Sequence, residues 1–201
     1  MSASEKVRRL AVMAMLVALS IVLVYFIHFP IFPSAAFLEY DPADIPILIG
    51  AFAYGPVAGL LITVIAAVIQ GLTVSSASGL YGVIMHIIAT GVLVLVAGGI
   101  YRLIHTRVGA VIALICGTVC MGVVMMVANH FITPAFMGAP VEVVDAMLLP
   151  VILPFNLLKA GINSIVTFLI YKTISRHIIH GEGWKKAEDK NQAGISGEPT
   201  E

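Results

Sequence analysis

Charge is scarce in this sequence: Asp, Glu, Lys and Arg make up 11% of the residues, against roughly 25% in an ordinary soluble domain. That shortage excludes a water-exposed globular surface, and the 60% of residues that are hydrophobic place the chain among integral membrane proteins. Alternation of polar and apolar residues is missing too, which excludes lipid-facing barrel strands. Several apolar runs instead reach the roughly 20 residues that a helix needs to cross hydrocarbon. Cysteine is nearly absent. Cys116 and Cys120 lie four apart in one apolar segment, no other cysteine can join them in a metal cluster, and both read as small core residues. The first apolar run follows Lys6, Arg8 and Arg9 as a signal peptide would. It lacks a small-residue cleavage site before Tyr25, Phe26 and Pro30, so it is expected to be retained.

Catalytic sequences are missing as well. There is no HExxH, no GxSxG, no pair of intramembrane aspartates and no serine placed with a recognisable base, which disfavours an enzyme. A Walker A sequence or other glycine-rich phosphate loop is also absent, so energy for any uptake must come from a partner or a gradient. No cofactor, metal site or nucleic-acid partner is expected.

What is present reads as an all-α membrane protein of six transmembrane helices, with a structured external loop between helices 1 and 2. The spans fall at about 10–29, 45–54, 57–71, 79–104, 109–132 and 147–175. Residues 1–178 form one six-helix domain, and the charged, glycine-containing residues 179–201 read as a disordered cytoplasmic tail. Ala14 and Ala18 make a small-xxx-small pair on the first span, which suits close approach of another helix or ordinary packing. The 30–46 segment holds four prolines and three acids, which stop a helix, yet Phe32, Phe37, Leu38 and Tyr40 are too apolar for a merely solvated connection. It is expected to fold over the mouth of the bundle or to lie in the interface as an aromatic belt. The second span is too short to cross a bilayer upright and leaves a vestibule beside it.

Every Lys and Arg other than Lys159 lies at the N-terminus, at 102–107 or from 172 onward, whereas the stretches with Glu39, Asp41, Asp44, Glu142 and Asp145 hold neither. By the positive-inside rule both termini of this multi-pass cell-membrane protein are cytoplasmic, a parity that six spans satisfy.

One stretch stands against the apolar background: Pro154 to Asn163, with Asn156, Lys159 and Asn163 three and four residues apart on one helix face. A charge at bilayer depth costs at least about 2.5 kcal/mol, so Lys159 is expected to look into a solute site. Asn129, Pro154 and the proline-rich loop all fall toward the outside, converging on one externally open cavity. His86 reads as an interhelical histidine in preference to a ligand contact. Amides, one ammonium and aromatics suit a neutral or weakly anionic planar solute with hydrogen-bonding edges.

Residues 37–46 (FLEYDPADIP), 50–59 (GAFAYGPVAG) and 154–159 (PFNLLK) resemble, in this order, the riboflavin-specific S components of energy-coupling factor (ECF) transporters. The resemblance runs to about residue 178. It implies a subunit that captures riboflavin outside, associates with a transmembrane coupling protein and two cytoplasmic ATPase subunits, and topples in the lipid bilayer to release the vitamin inward. By matching position, Asn156 and Lys159 would hydrogen-bond the flavin, Asn129 would reach it from the fifth helix, and Leu38, Glu39, Tyr40 and Asp41 would line it from the loop. Ala14 and Ala18 match the alanine pair that docks on the coupling protein. His130 departs from the aromatic expected after the asparagine. Two rival readings stay open: an S component for another vitamin-like solute, and a membrane scaffold in which Lys159 merely pairs with Glu39, Asp41 or Asp44.

Overall fold

The computed structural model describes residues 3–174, so the tail expected at 179–201 lies outside the described residues. The apolar runs form helices at Ala3–Phe26 (α1), Asp44–Tyr54 (α2), Pro56–Leu72 (α3), Gly79–Leu103 (α4), Arg107–Met137 (α5), Val141–Met147 (α6) and Leu153–Ile174 (α7). Four helical stretches are long and apolar enough to cross a membrane: Ala3–Phe26, Ser76–Leu103, Arg107–Met137 and Val141–Tyr171. The α2 and α3 helices are shorter.

Proline and glycine set the breaks. Gly55 adopts φ +93, a conformation that side chains resist, and Pro56 then opens α3 where its missing N–H would have had no partner. The fifth helix was expected to stop near 132, but it continues through Pro134 to Met137. One proline removes one ladder bond, which a helix within a membrane bundle tolerates when its neighbours hold it. The last span was expected from about 147. It instead begins with α6 and passes through a π-helical turn, Leu148–Ile152, into α7. Pro150 and Pro154 remove two donors four residues apart, which accounts for the ladder changing step there.

Between α1 and α2 the chain makes a short hairpin. Phe29–Pro30 (β1) pairs antiparallel with Glu39–Tyr40 (β2), with Phe29 opposite Tyr40 and Pro30 opposite Glu39. A 3-10 turn at Pro33–Ala35 bridges the two strands. Ala35 and Leu38 pack with Val144, Ile152 and Phe155, so a small apolar core of its own fastens the loop to α6 and α7.

The main core surrounds α2, which touches α1, α3, α4 and α7. Small residues let these helices close up. A Cβ built on Gly59 of α3 would lie 2.6 Å from the Ala51 Cβ and 3.1 Å from its backbone Cα. Gly59→Val is therefore expected to destabilise the protein by about 1–3 kcal/mol. A melting temperature in detergent equal to the parent's would show that α2 and α3 separate without cost.

Candidate functional site

Asp41 of the loop and Asp44 at the start of α2 are buried in the bundle. Asp41 accepts the Ala43 N–H on Oδ1 at 3.0 Å, turning the chain into α2. Its Oδ2 accepts from Lys159 Nζ at 2.6 Å, and both side chains are only 12% exposed. Burial by itself would push the Asp41 carboxyl up, but the Lys159 ammonium and the Ala43 N–H hold it below the usual carboxylate range. The pair is thus ionic. Asp44 is fully buried and accepts from Thr90 Oγ1 at 2.6 Å and Asn163 Nδ2 at 3.0 Å. Asn163 Nδ2 also donates to the Asp41 backbone carbonyl at 3.0 Å, and Asn163 Oδ1 accepts the Tyr40 hydroxyl at 3.0 Å. One buried amide therefore ties together the loop, α2 and α7.

Beside this knot lies a cavity open at its mouth, with about 1010 Å³ of empty space when the solvent at that mouth is included. The loop contributes Phe37, Leu38, Glu39 and Asp41, the α3–α4 side contributes Gln70, Tyr81 and His86, and α5 and α7 contribute Asn129, Phe136, Phe155, Asn156 and Lys159. Phe37 and Tyr81 both approach Phe136, with ring centroids 6.3 and 5.9 Å apart, and give the cavity an aromatic side. Asn156 Nδ2 donates to the Ile152 carbonyl at 2.8 Å, meeting the acceptor at the end of the π-helical turn. Asn129 Nδ2 donates to the Met125 carbonyl, and its Oδ1 accepts from Thr133 Oγ1, each at 2.7 Å. Each amide is fixed by its own helix and keeps one N–H for another partner. No group of three or more potential metal ligands occurs among the described residues.

The residues singled out from the sequence separate into three groups. Leu38, Glu39, Asp41, Asn129, Asn156 and Lys159 all line the cavity. Lys159 does two things at once, facing the cavity and pairing with Asp41. Tyr40 and Asn163 belong to neither wall: Tyr40 turns its ring toward Phe29, 5.4 Å between centroids, and its hydroxyl to Asn163. The loop thus places Glu39 and Asp41, not Tyr40, at the cavity, because alternate residues of an extended segment face opposite ways, and Leu38 lines it from just before the strand. His130 also stands outside, with Nδ1 2.6 Å from Asp145 Oδ1 on α6 and its ring edge-on to Phe131.

His86 is not the satisfied interhelical histidine expected. It lines the cavity, and its buried Nε2 has no hydrogen-bond partner. Gln70 shares that position, with a buried Nε2 equally unpartnered, and the sequence reading passed it over. Its one signal was a polar side chain in the last turn of an otherwise apolar helix. On the outer surface, Ala14 and Ala18 are exposed on α1, on the side away from buried Val12, Leu16 and Ser20.

Comparisons with known proteins match this architecture. The family model described as "ECF transporter, substrate-specific component" covers residues 8–171. The riboflavin transporter FmnP of Bacillus subtilis (strain 168) is 30% identical over 174 residues, 83% of this chain and 91% of that protein. The riboflavin transporter RibU of Staphylococcus aureus (strain TCH60) is 28% identical over 177 residues, 85% of this chain and 92% of that protein. A solved S component of a bacterial ECF transporter superposes with a TM-score of 0.76 at 27% identity, over 86% of this chain and 98% of that one.

Proposed function

We propose, since the chain belongs to the family of ECF transporter substrate-specific components, that it is the riboflavin-binding subunit of a vitamin uptake transporter. It is a transporter subunit and not an enzyme. The observation that carries the reading is the cavity itself: amide and ammonium donors beside an aromatic side, in one open hollow. The isoalloxazine edge presents two carbonyl acceptors around one N–H, and Asn129, Asn156 and the remaining Lys159 donors complement it. The Lys159–Asp41 pair alone would serve a membrane scaffold equally well. An open cavity lined by that same pair is what a scaffold has no use for.

In this reading α1 to α5 and α7 make the six spans of the bilayer, with the loop outside. Arg8, Arg9, Arg102 and His105 gather round a second hollow at the other end of α4 from Tyr81, which supports a cytoplasmic placement of that end. Ala14 and Ala18, small and exposed, would meet a transmembrane coupling protein that itself engages two cytoplasmic ATPases. The test is direct. Riboflavin at about 100 times its dissociation constant should stabilise the detergent-purified protein by about 2.7 kcal/mol, with quenching of flavin fluorescence, and thiamin should do neither. Stabilisation by thiamin alone, or by no vitamin, would refute the assignment.

A further inference from the structure

We propose that Gln70 and His86 form a second hydrogen-bonding subsite in the cavity, one that takes the hydroxylated chain of the ligand while Asn129, Asn156 and Lys159 take its ring. The inference rests on the riboflavin reading and goes beyond it in dividing the cavity between two walls. Gln70 projects from α3 and His86 from α4, neighbouring helices packed together along their length. Gln70 is 4% exposed, and Gln70 Nε2 and His86 Nε2 are the two buried side-chain polar atoms left without a partner among the described residues. That both fall on the wall of one cavity is the central observation. Buried polar groups are almost always paired in a folded protein, so two orphans on residues that line one cavity mark where a partner is missing.

The chemistry of that partner follows from the two groups. The Gln70 amide N–H needs an acceptor, and the His86 nitrogen needs either an acceptor or a donor according to its tautomer. A hydroxyl is both, so a chain of hydroxyls satisfies the pair in either state. Each group on the ring edge has one fixed role, two carbonyls that only accept and one N–H that only donates, and the α5–α7 wall already offers ammonium and amide groups to them. Ser75 and Ser78, in the turn between α3 and α4, extend the same side of the cavity with further hydroxyl groups.

The test compares riboflavin with lumiflavin, which carries the same ring with a methyl group in place of the hydroxylated chain. Titrations follow flavin fluorescence in detergent for the parent, Gln70→Met and His86→Leu, with the melting temperature of each recorded. Either variant should weaken riboflavin by roughly five- to 150-fold, the effect of one lost buried hydrogen bond. Its affinity for lumiflavin should stay at the parent's value. Gln70→Asn and His86→Gln, which keep a hydrogen-bonding group but alter its reach, carry the same comparison if the apolar variants fail to insert. Equal weakening of both flavins, or riboflavin binding unchanged in both variants, would overturn the subsite and leave the riboflavin assignment standing. A parent that binds neither flavin would overturn the assignment and the subsite with it.

Discussion

Lys159→Met is expected to lose both riboflavin and much of the protein's stability, and the two losses have separable causes. Its ammonium carries three donors, of which one reaches Asp41 Oδ2 at 2.6 Å while the side chain also borders the cavity. Removing it leaves the Asp41 carboxylate buried and unpaired, a change that costs about 3–5 kcal/mol. Removing a ligand contact of this kind weakens binding by about 1–3 kcal/mol, or roughly five- to 150-fold. The double variant Asp41→Asn/Lys159→Met separates them. With no carboxylate to strand, it should recover most of the lost melting temperature, since the new amide oxygen can still accept the Ala43 N–H. Its riboflavin affinity should remain as poor as that of Lys159→Met. Parent-like affinity in the double variant would mean that Lys159 holds the loop and never touches the vitamin.

Asn163→Ala is expected to act on binding without touching the ligand. Its amide donates to the Asp41 carbonyl and to Asp44 Oδ2 and accepts from Tyr40, so alanine strands three buried groups at once. At about 1 kcal/mol or more for each abandoned partner, the loss is at least about 3 kcal/mol. Asp44 keeps its bond from Thr90, which leaves the start of α2 less affected than the loop. Because that loop carries Leu38 and Glu39 to the cavity, its loosening should appear as faster riboflavin release in stopped-flow fluorescence. Association should change less, since an open mouth admits ligand as readily. A variant with the parent's melting temperature and release rate would show the triple tie to be ornamental.

Much of this site was legible because its residues violate their surroundings. An ammonium and two amides in an apolar helix are visible in any sequence, and helical spacing turns all three inward, the amides buried and the ammonium 12% exposed. Spacing does not say what lies opposite. Asn156 meets the cavity, while Asn163, two turns further along, meets the acids of the loop and α2, and that division is set by tertiary packing. The same limit hid the pairing of Lys159 with Asp41, 118 positions away. His130 departs from the aromatic expected after Asn129, and since one residue on a helix is a turn of about 100 degrees, it faces Asp145. Gln70 was overlooked for another reason: a single amide lacks the charge that made Lys159 conspicuous. The π-helical turn has no sequence signature beyond two prolines four apart, and the length of α5 was concealed by a proline that only thins the helix's bonding.

The shortest of the core helices has a consequence for the membrane around it. Residues Asp44–Phe52 of α2 are all buried, so protein sheathes this eleven-residue helix on every side. Hydrocarbon thickness acts only on surfaces that lipid touches, and a thinner or thicker bilayer tilts or bends the helices exposed to it. The outer helices absorb that strain, and α2 keeps its length and place. Asp44, and through it Asn163 and the loop, are therefore referenced to a post that the lipid composition of the host cannot lengthen, shorten or lean.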